Sequence, residues 1–145
     1  MDCLMFFDSG IISDTFNKIA APAADGIIAF NIEKPLAELP GGKKFMEDYT
    51  KAKFASPYEN YGHFGYDAVG VIMDDVNRAK STDRAKVIDV LRATKGYHGV
   101  IGETTFDEKG QTQNKLITAF ISEDGKWLSY EKADLQIVDK KIVKK

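Results

Sequence analysis

One cysteine, Cys3, stands among 145 residues, so no intrachain disulfide can form. That removes one argument for an exported protein without excluding one. Cys3 has no sequence-evident base beside it, which leaves a nucleophilic role without support. Histidine is nearly as scarce. His63 and His98 lie far apart, and no metal-ligand spacing accompanies them. His98, in Gly96-Tyr97-His98-Gly99, reads as a surface-turn residue. Charge of one sign is lacking too: a net charge of −2 gives no electrostatic case for nucleic acid or an anionic membrane. No apolar run approaches the roughly 20 residues that a membrane-spanning helix needs. The Met1-Asp2 start has neither a basic nor an apolar segment ahead of Cys3, so no signal peptide is expected at this end. Gly41-Gly42-Lys43-Lys44 lacks the glycine spacing of a phosphate loop and follows a proline-rich connector rather than a strand. Asp74-Asp75 falls mid-helix, where adjacent side chains diverge by about 100°; the pair reads as a solvated face rather than a dyad. No enzyme, catalytic residue, cofactor or metal is expected.

What is present is enough for a folded domain. The chain is 43% hydrophobic and 29% charged, unlike a disordered tail, and a chain of this length buries roughly two thirds of its unfolded surface. Leu4 to Phe7 reads as a buried strand that ends at Asp8-Ser9-Gly10. Ser13 or Asp14 caps a helix running to about Ala24, with Phe16, Ile19 and Ala20 on one face and Pro22 weakening it. Ile27 to Ile32 is the next strand, and Pro35 to Gly42 a connector. Three helices follow: Lys43 to Phe54; Phe64 to Ala79, with an apolar stripe of Ala68, Val69, Ile72, Met73, Val76 and Ala79; and one to about Ala93, capped by Ser81 or Thr82, with Val87, Val90 and Leu91 buried.

The period then changes. Gly99 to Phe106 reads as a short strand and Asp107 to Gly110 as a turn. Leu116 to Ile121 and Trp127 to Tyr130 flank Asp124-Gly125, which suits a two-residue hairpin loop. Leu135 to Val138 and Ile142-Val143 supply further strand signals. Lys140, Lys141, Lys144 and Lys145 read as a solvated tail. The pattern is α/β in an uneven order, for a freestanding doubly wound domain alternates strand and helix throughout. The helix-only middle needs a sheet from elsewhere, either from chain beyond this sequence or from a second copy.

Four blocks carry a family resemblance. They are the opening strand-loop-helix; Ile19-Ala20 to Asp25-Gly26-Ile27-Ile28; Tyr61 to Val69, containing Tyr66-Asp67-Ala68-Val69; and Gly99-Val100-Ile101-Gly102 followed by Thr105 to Gly110. In this order, over roughly Leu4 to Leu128, they resemble the C-terminal part of the solute-binding proteins of branched-chain amino-acid ABC transporters, the leucine/isoleucine/valine-binding type. The Asp124-Gly125-Lys126 hairpin also fits. Such proteins have two lobes and a longer chain.

The resemblance implies a partial periplasmic-binding-protein type I fold, with Rossmann-like three-layer lobes, of which this chain holds pieces of both. Residues 1–34 would belong to the second lobe, 35–114 to the first, and 115–145 to the second again. It further implies an amino-acid ligand of the leucine, isoleucine or valine class, the membrane subunits of an ABC transporter as partners, and a periplasmic or extracellular cell-surface location for the full-length protein, whose export signal lies outside this chain. Asp8 would receive the ligand's ammonium group, with Ser9 as the alternative. Tyr61, and next His63, would form an aromatic wall for its side chain. From the residues alone, Asp8 is also a turn or helix cap, and Tyr61 an ordinary loop aromatic. The family's N-terminal portion, which grips the ligand carboxylate, has no counterpart here. A non-binding fragment that folds by self-association, as a homodimer exchanging a strand or helix, is the alternative.

Overall fold

The computed structural model describes residues 3–145; the Met1-Asp2 start lies outside them. Along the chain run β1 (Phe6–Phe7), α1 (Asp14–Ala20), β2 (Ile28–Asn31), α2 (Gly42–Ala52), α3 (Gly62–Ala79), α4 (Arg84–Arg92), β3 (Tyr97–Gly99), β4 (Gly102–Thr104), β5 (Thr118–Glu123), β6 (Lys126–Ser129), β7 (Leu135–Val138) and β8 (Lys141–Lys144). The chain forms two compact units. One is made of residues up to Pro35 together with Leu116–Lys145, the other of Leu36–Lys115.

The first unit is built on a four-stranded sheet of order β1-β2-β5-β6. β1 runs parallel to β2, and the other neighbours are antiparallel. Ile28 and Ile121 pair across the centre. With Ala133 they form a dry core, onto which Leu128, Tyr130, Leu135, Ile137 and Ile142 pack. On the opposite face α1 lays Asn17 over the sheet, where its amide oxygen accepts a hydrogen bond from Ser122 Oγ at 2.9 Å. Ser13 caps this helix, its hydroxyl accepting from the Phe16 amide at 3.1 Å. The helix stops at Ala20, short of Ala24, because the residue before Pro22 is driven out of helical geometry; Ala21 is extended. Ile19, expected on the buried face, is 80% exposed. Asn17 occupies that face instead, one turn from Ser13.

Both C-terminal hairpins use left-handed two-residue loops. Asp124 and Gly125 have φ of 49° and 72°, and Asp139 and Lys140 have 49° and 62°. The first was legible as Asp-Gly. The second, without glycine, turns the tail back as β8, so Lys140 and Lys141 sit at a hairpin rather than in a free tail. Lys145 is tied down as well, its ammonium donating to the Ala133 carbonyl at 2.6 Å.

The second unit is helical, with only the β3–β4 hairpin for a sheet. α2 ends where Lys53 turns left-handed at φ 50°, and α3 where Lys80 does so at φ 47°. The cap of α4 is Asp83, whose carboxylate accepts from the Lys86 amide at 3.1 Å. Ser81 holds Asp83 in place by accepting its amide at 3.0 Å. The expected Gly99–Phe106 strand folds back on itself at Val100-Ile101, pairing Gly99 with Gly102. His98 is exposed on β3.

α3 turns a mostly polar face inward. Its buried residues are His63, Asp67, Val71 and Asp75, one turn apart each time. Much of the apolar stripe faces solvent: Val69 is 61%, Ile72 49% and Met73 59% exposed. Polar groups dictate this. The Asp67 carboxylate accepts from the amides of Val100 at 2.7 Å and Ile101 at 2.9 Å. Asp75, read as solvated, is fully buried and bound by Thr94 Oγ1 at 3.0 Å and by Arg78. A buried carboxylate is tolerable only when so paired.

Candidate functional site

Asp8 follows β1 and opens a 3-10 turn over Ser9–Ile11. One carboxylate oxygen accepts the Gly10 amide at 2.9 Å, a short Asx turn of the kind aspartate favours at a strand end. Glycine suits the next position but one, since a Cβ on Gly10 would come within 3.0 Å of that oxygen. The Asp8 side chain is exposed. A carboxylate has two oxygens and about four acceptor positions, so capping one turn leaves capacity for a second donor. Ser9 is half-buried beside it and its carbonyl accepts from the Ile12 amide at 3.1 Å.

Tyr61 and His63 lie in the second unit, at the start of α3. Tyr61 is the residue before the helix and is 53% exposed, its ring 6.4 Å from that of Phe64. His63, two residues on, has no exposed surface. Its ring is packed against Phe45, Tyr58 and Phe64, and Nδ1 lies 2.5 Å from the Tyr58 hydroxyl. A fully enclosed ring offers a ligand no wall, so here His63 supports the loop and Tyr61 is the exposed aromatic. Asp8 and Ser9 therefore stand together in one unit, and Tyr61 and His63 together in the other.

Tyr58 was not singled out from the sequence. The signal was present: Tyr58 follows Pro57 in the loop after α2, and Tyr58, Tyr61, His63, Phe64 and Tyr66 make the densest aromatic run of the chain. Beside this run an open apolar groove of about 560 Å³ passes Phe45, Tyr49, Phe54, Tyr66, Val69 and Tyr97. Burial raises the Tyr97 phenol above its ordinary value, helped by the negative charge of Asp67. On α2 the Lys44–Asp48 hydrogen bond lowers the carboxyl and raises the amine. No cluster of three or more His, Cys, Asp or Glu side chains suited to a metal ion occurs among the described residues.

The fold is that of part of a type I periplasmic binding protein: a mixed α/β chain that leaves a parallel-antiparallel sheet in one unit and helices in the other. Residues 5–126 match the family model for periplasmic binding proteins, and the chain belongs to that family. It is 28% identical over 120 residues to the leucine-, isoleucine-, valine-, threonine- and alanine-binding protein of Pseudomonas aeruginosa, covering 83% of this chain and 31% of that protein. It is 26% identical over 126 residues to a Leu/Ile/Val-binding protein homolog of Brucella abortus, covering 85% and 33%. The crystal structure of a leucine-binding protein from Thermotoga maritima superposes with a TM-score of 0.72 at 27% identity, covering 86% of this chain and 35% of that one. The chain thus spans about a third of the length of these relatives.

Proposed function

We propose that this chain is the C-terminal part of the extracytoplasmic solute-binding component of an ABC importer for branched-chain or related amino acids. The observation that carries the proposal is the family match over residues 5–126, together with relatives named for binding leucine, isoleucine and valine. The unit boundaries support an assignment of residues 1–34 and 115–145 to one lobe and 35–114 to the other. In the whole receptor the ligand would favour the closed arrangement of lobes because it touches both lobes only there, and the transporter's membrane subunits would read that closure. The location would be periplasmic or at the cell surface. The chemistry is binding alone. The exposed Asp8 carboxylate would meet the α-ammonium group, with Ser9 beside it, and Tyr61 would cover the aliphatic side chain.

Calorimetric titration of the complete receptor with leucine, isoleucine and valine, beside its Asp8→Ala variant, is the test. Saturable binding that is lost in Asp8→Ala is the expected outcome. Undiminished affinity in Asp8→Ala rejects the assignment of the ammonium partner.

A second reading is favoured by one observation, the exposed apolar face of α3. A fragment that does not bind amino acids and folds by self-association would cover that face against a second copy. A mass in solution twice that of the chain, with no heat on titration, would select this reading.

A further inference from the structure

The N-terminus of α3 is built without a capping side chain: Tyr61 holds the cap position and makes no side-chain cap hydrogen bond. Tyrosine is a poor residue there, since no short oxygen can turn back to the free amides. The segment is held from behind instead. The Tyr58 hydroxyl lies 2.5 Å from His63 Nδ1 and 3.4 Å from the Asn60 carbonyl. The Tyr58 ring faces Gly62, where a Cβ would come within 3.2 Å of two ring carbons. The Gly62 amide in turn donates to Glu59 O at 3.1 Å, and Gly65 to Tyr61 O at 3.2 Å. Tyr61 thus projects from a short turn gripped on both sides of its own Cα. One hydroxyl carries one proton. Both Tyr58 contacts are hydrogen bonds together only when His63 Nδ1–H donates to Tyr58 and Tyr58 donates to Asn60.

We infer that Tyr58 and His63 are positioning residues for the aromatic wall of the ligand site: the buried imidazole fixes the Tyr58 hydroxyl, which fixes the turn that presents Tyr61. This rests on the reading of Tyr61 as that wall. The advantage is preorganisation, because an aromatic already held in place loses less conformational freedom when a ligand arrives.

The test uses the full chain, with Tyr58→Phe and His63→Phe keeping an aromatic ring at each position while removing the link. Amide hydrogen exchange at Gly62 and Gly65 should accelerate about tenfold in each, the size expected for loss of one hydrogen bond. The double variant should go no further, since both act through one contact. Exchange at Ile121, in the other unit, should not move. The tautomer of His63, read by nitrogen-correlated NMR of the unsubstituted chain, should be Nδ1–H. Unchanged exchange at Gly62 and Gly65, or an Nε2–H tautomer, overturns the inference. A titration with isoleucine of the complete receptor carrying the same substitutions separates it from the reading beneath it. Weaker isoleucine binding in both Tyr58→Phe and Tyr61→Ala, with unfolding midpoints unchanged, supports both. Faster exchange with isoleucine affinity untouched by Tyr61→Ala keeps the clamp and overturns the wall.

Discussion

Asp67 and Gly99 are fitted to each other: a Cβ on Gly99 would lie 2.5 Å from the Asp67 carboxylate carbon and both of its oxygens. That closeness lets the carboxylate take the next two backbone amides, of Val100 and Ile101. Asp67→Ala strands two amides, one of them buried, and should cost about 3 kcal/mol. Gly99→Ala should cost a similar amount by displacing the carboxylate. The double variant should cost well below the sum, because both lesions break one contact. Urea unfolding of the four proteins reads the cycle.

Gly70 and Tyr97 give a second cycle of opposite logic. A Cβ on Gly70 would sit 2.1 Å from the Tyr97 hydroxyl oxygen but 3.2 Å from the ring carbon that bears it. Gly70→Ala should therefore destabilise by about 1–3 kcal/mol through overpacking. Adding Tyr97→Phe should recover part of that loss, since the hydroxyl is the atom in the way. Thermal denaturation of single and double variants checks the recovery.

The same phenol titrates late. Burial, and then Asp67, hold the Tyr97 pKa above the ordinary 10.0. With the folded pKa raised, its contribution to stability is complete below the unfolded value and is lost as pH rises through the folded one. An ultraviolet titration of phenolate should show a component that ionises above the ordinary range and is lost in Tyr97→Phe. Alkaline unfolding should begin at higher pH in that variant.

The apolar stripe of α3 yields the fourth prediction. Val69, Ile72 and Met73 are 49% to 61% exposed, so Ile72→Glu and Met73→Lys should shift stability by no more than about 0.5 kcal/mol. A loss of several kcal/mol on unfolding would mean that this face is covered in solution.

That stripe also marks where sequence reading stopped. Period alone located the helix, because apolar residues recurred at three- and four-residue steps, and the expectation that the helical middle has few strands of its own fits the two-stranded β3–β4 sheet of the second unit. Period could not say which face turns inward. Asp67 and Asp75 lie on the inner face, held there by partners distant in sequence, Val100 and Ile101 for one and Thr94, beside the neighbouring Arg78, for the other. The Asp-Gly hairpin was legible because local sterics favour it. The Asp139-Lys140 hairpin was not, since lysine seldom enters left-handed geometry. At the candidate site, Asp8 and Tyr61 were reached through resemblance. The burial of His63 was beyond it, being decided by Phe45 from another part of the chain together with the nearby Tyr58.

Strand β2 pairs with β5, Asn31 opposite Thr118, while residues 36–115 form a unit of their own. A sheet with so distant a seam is slow to close, because long-range pairing has to pay for chain ordering before it is rewarded. During synthesis β2 would wait for β5 with one edge bare, through the time in which the helices between them are made and can fold by local contacts. Of these two units, the one whose strands come earlier in the chain is then the last to finish. A chain stalled before Thr118 would display Ile28 and Ala29, buried in the finished fold, to whatever chaperone or stray strand came near.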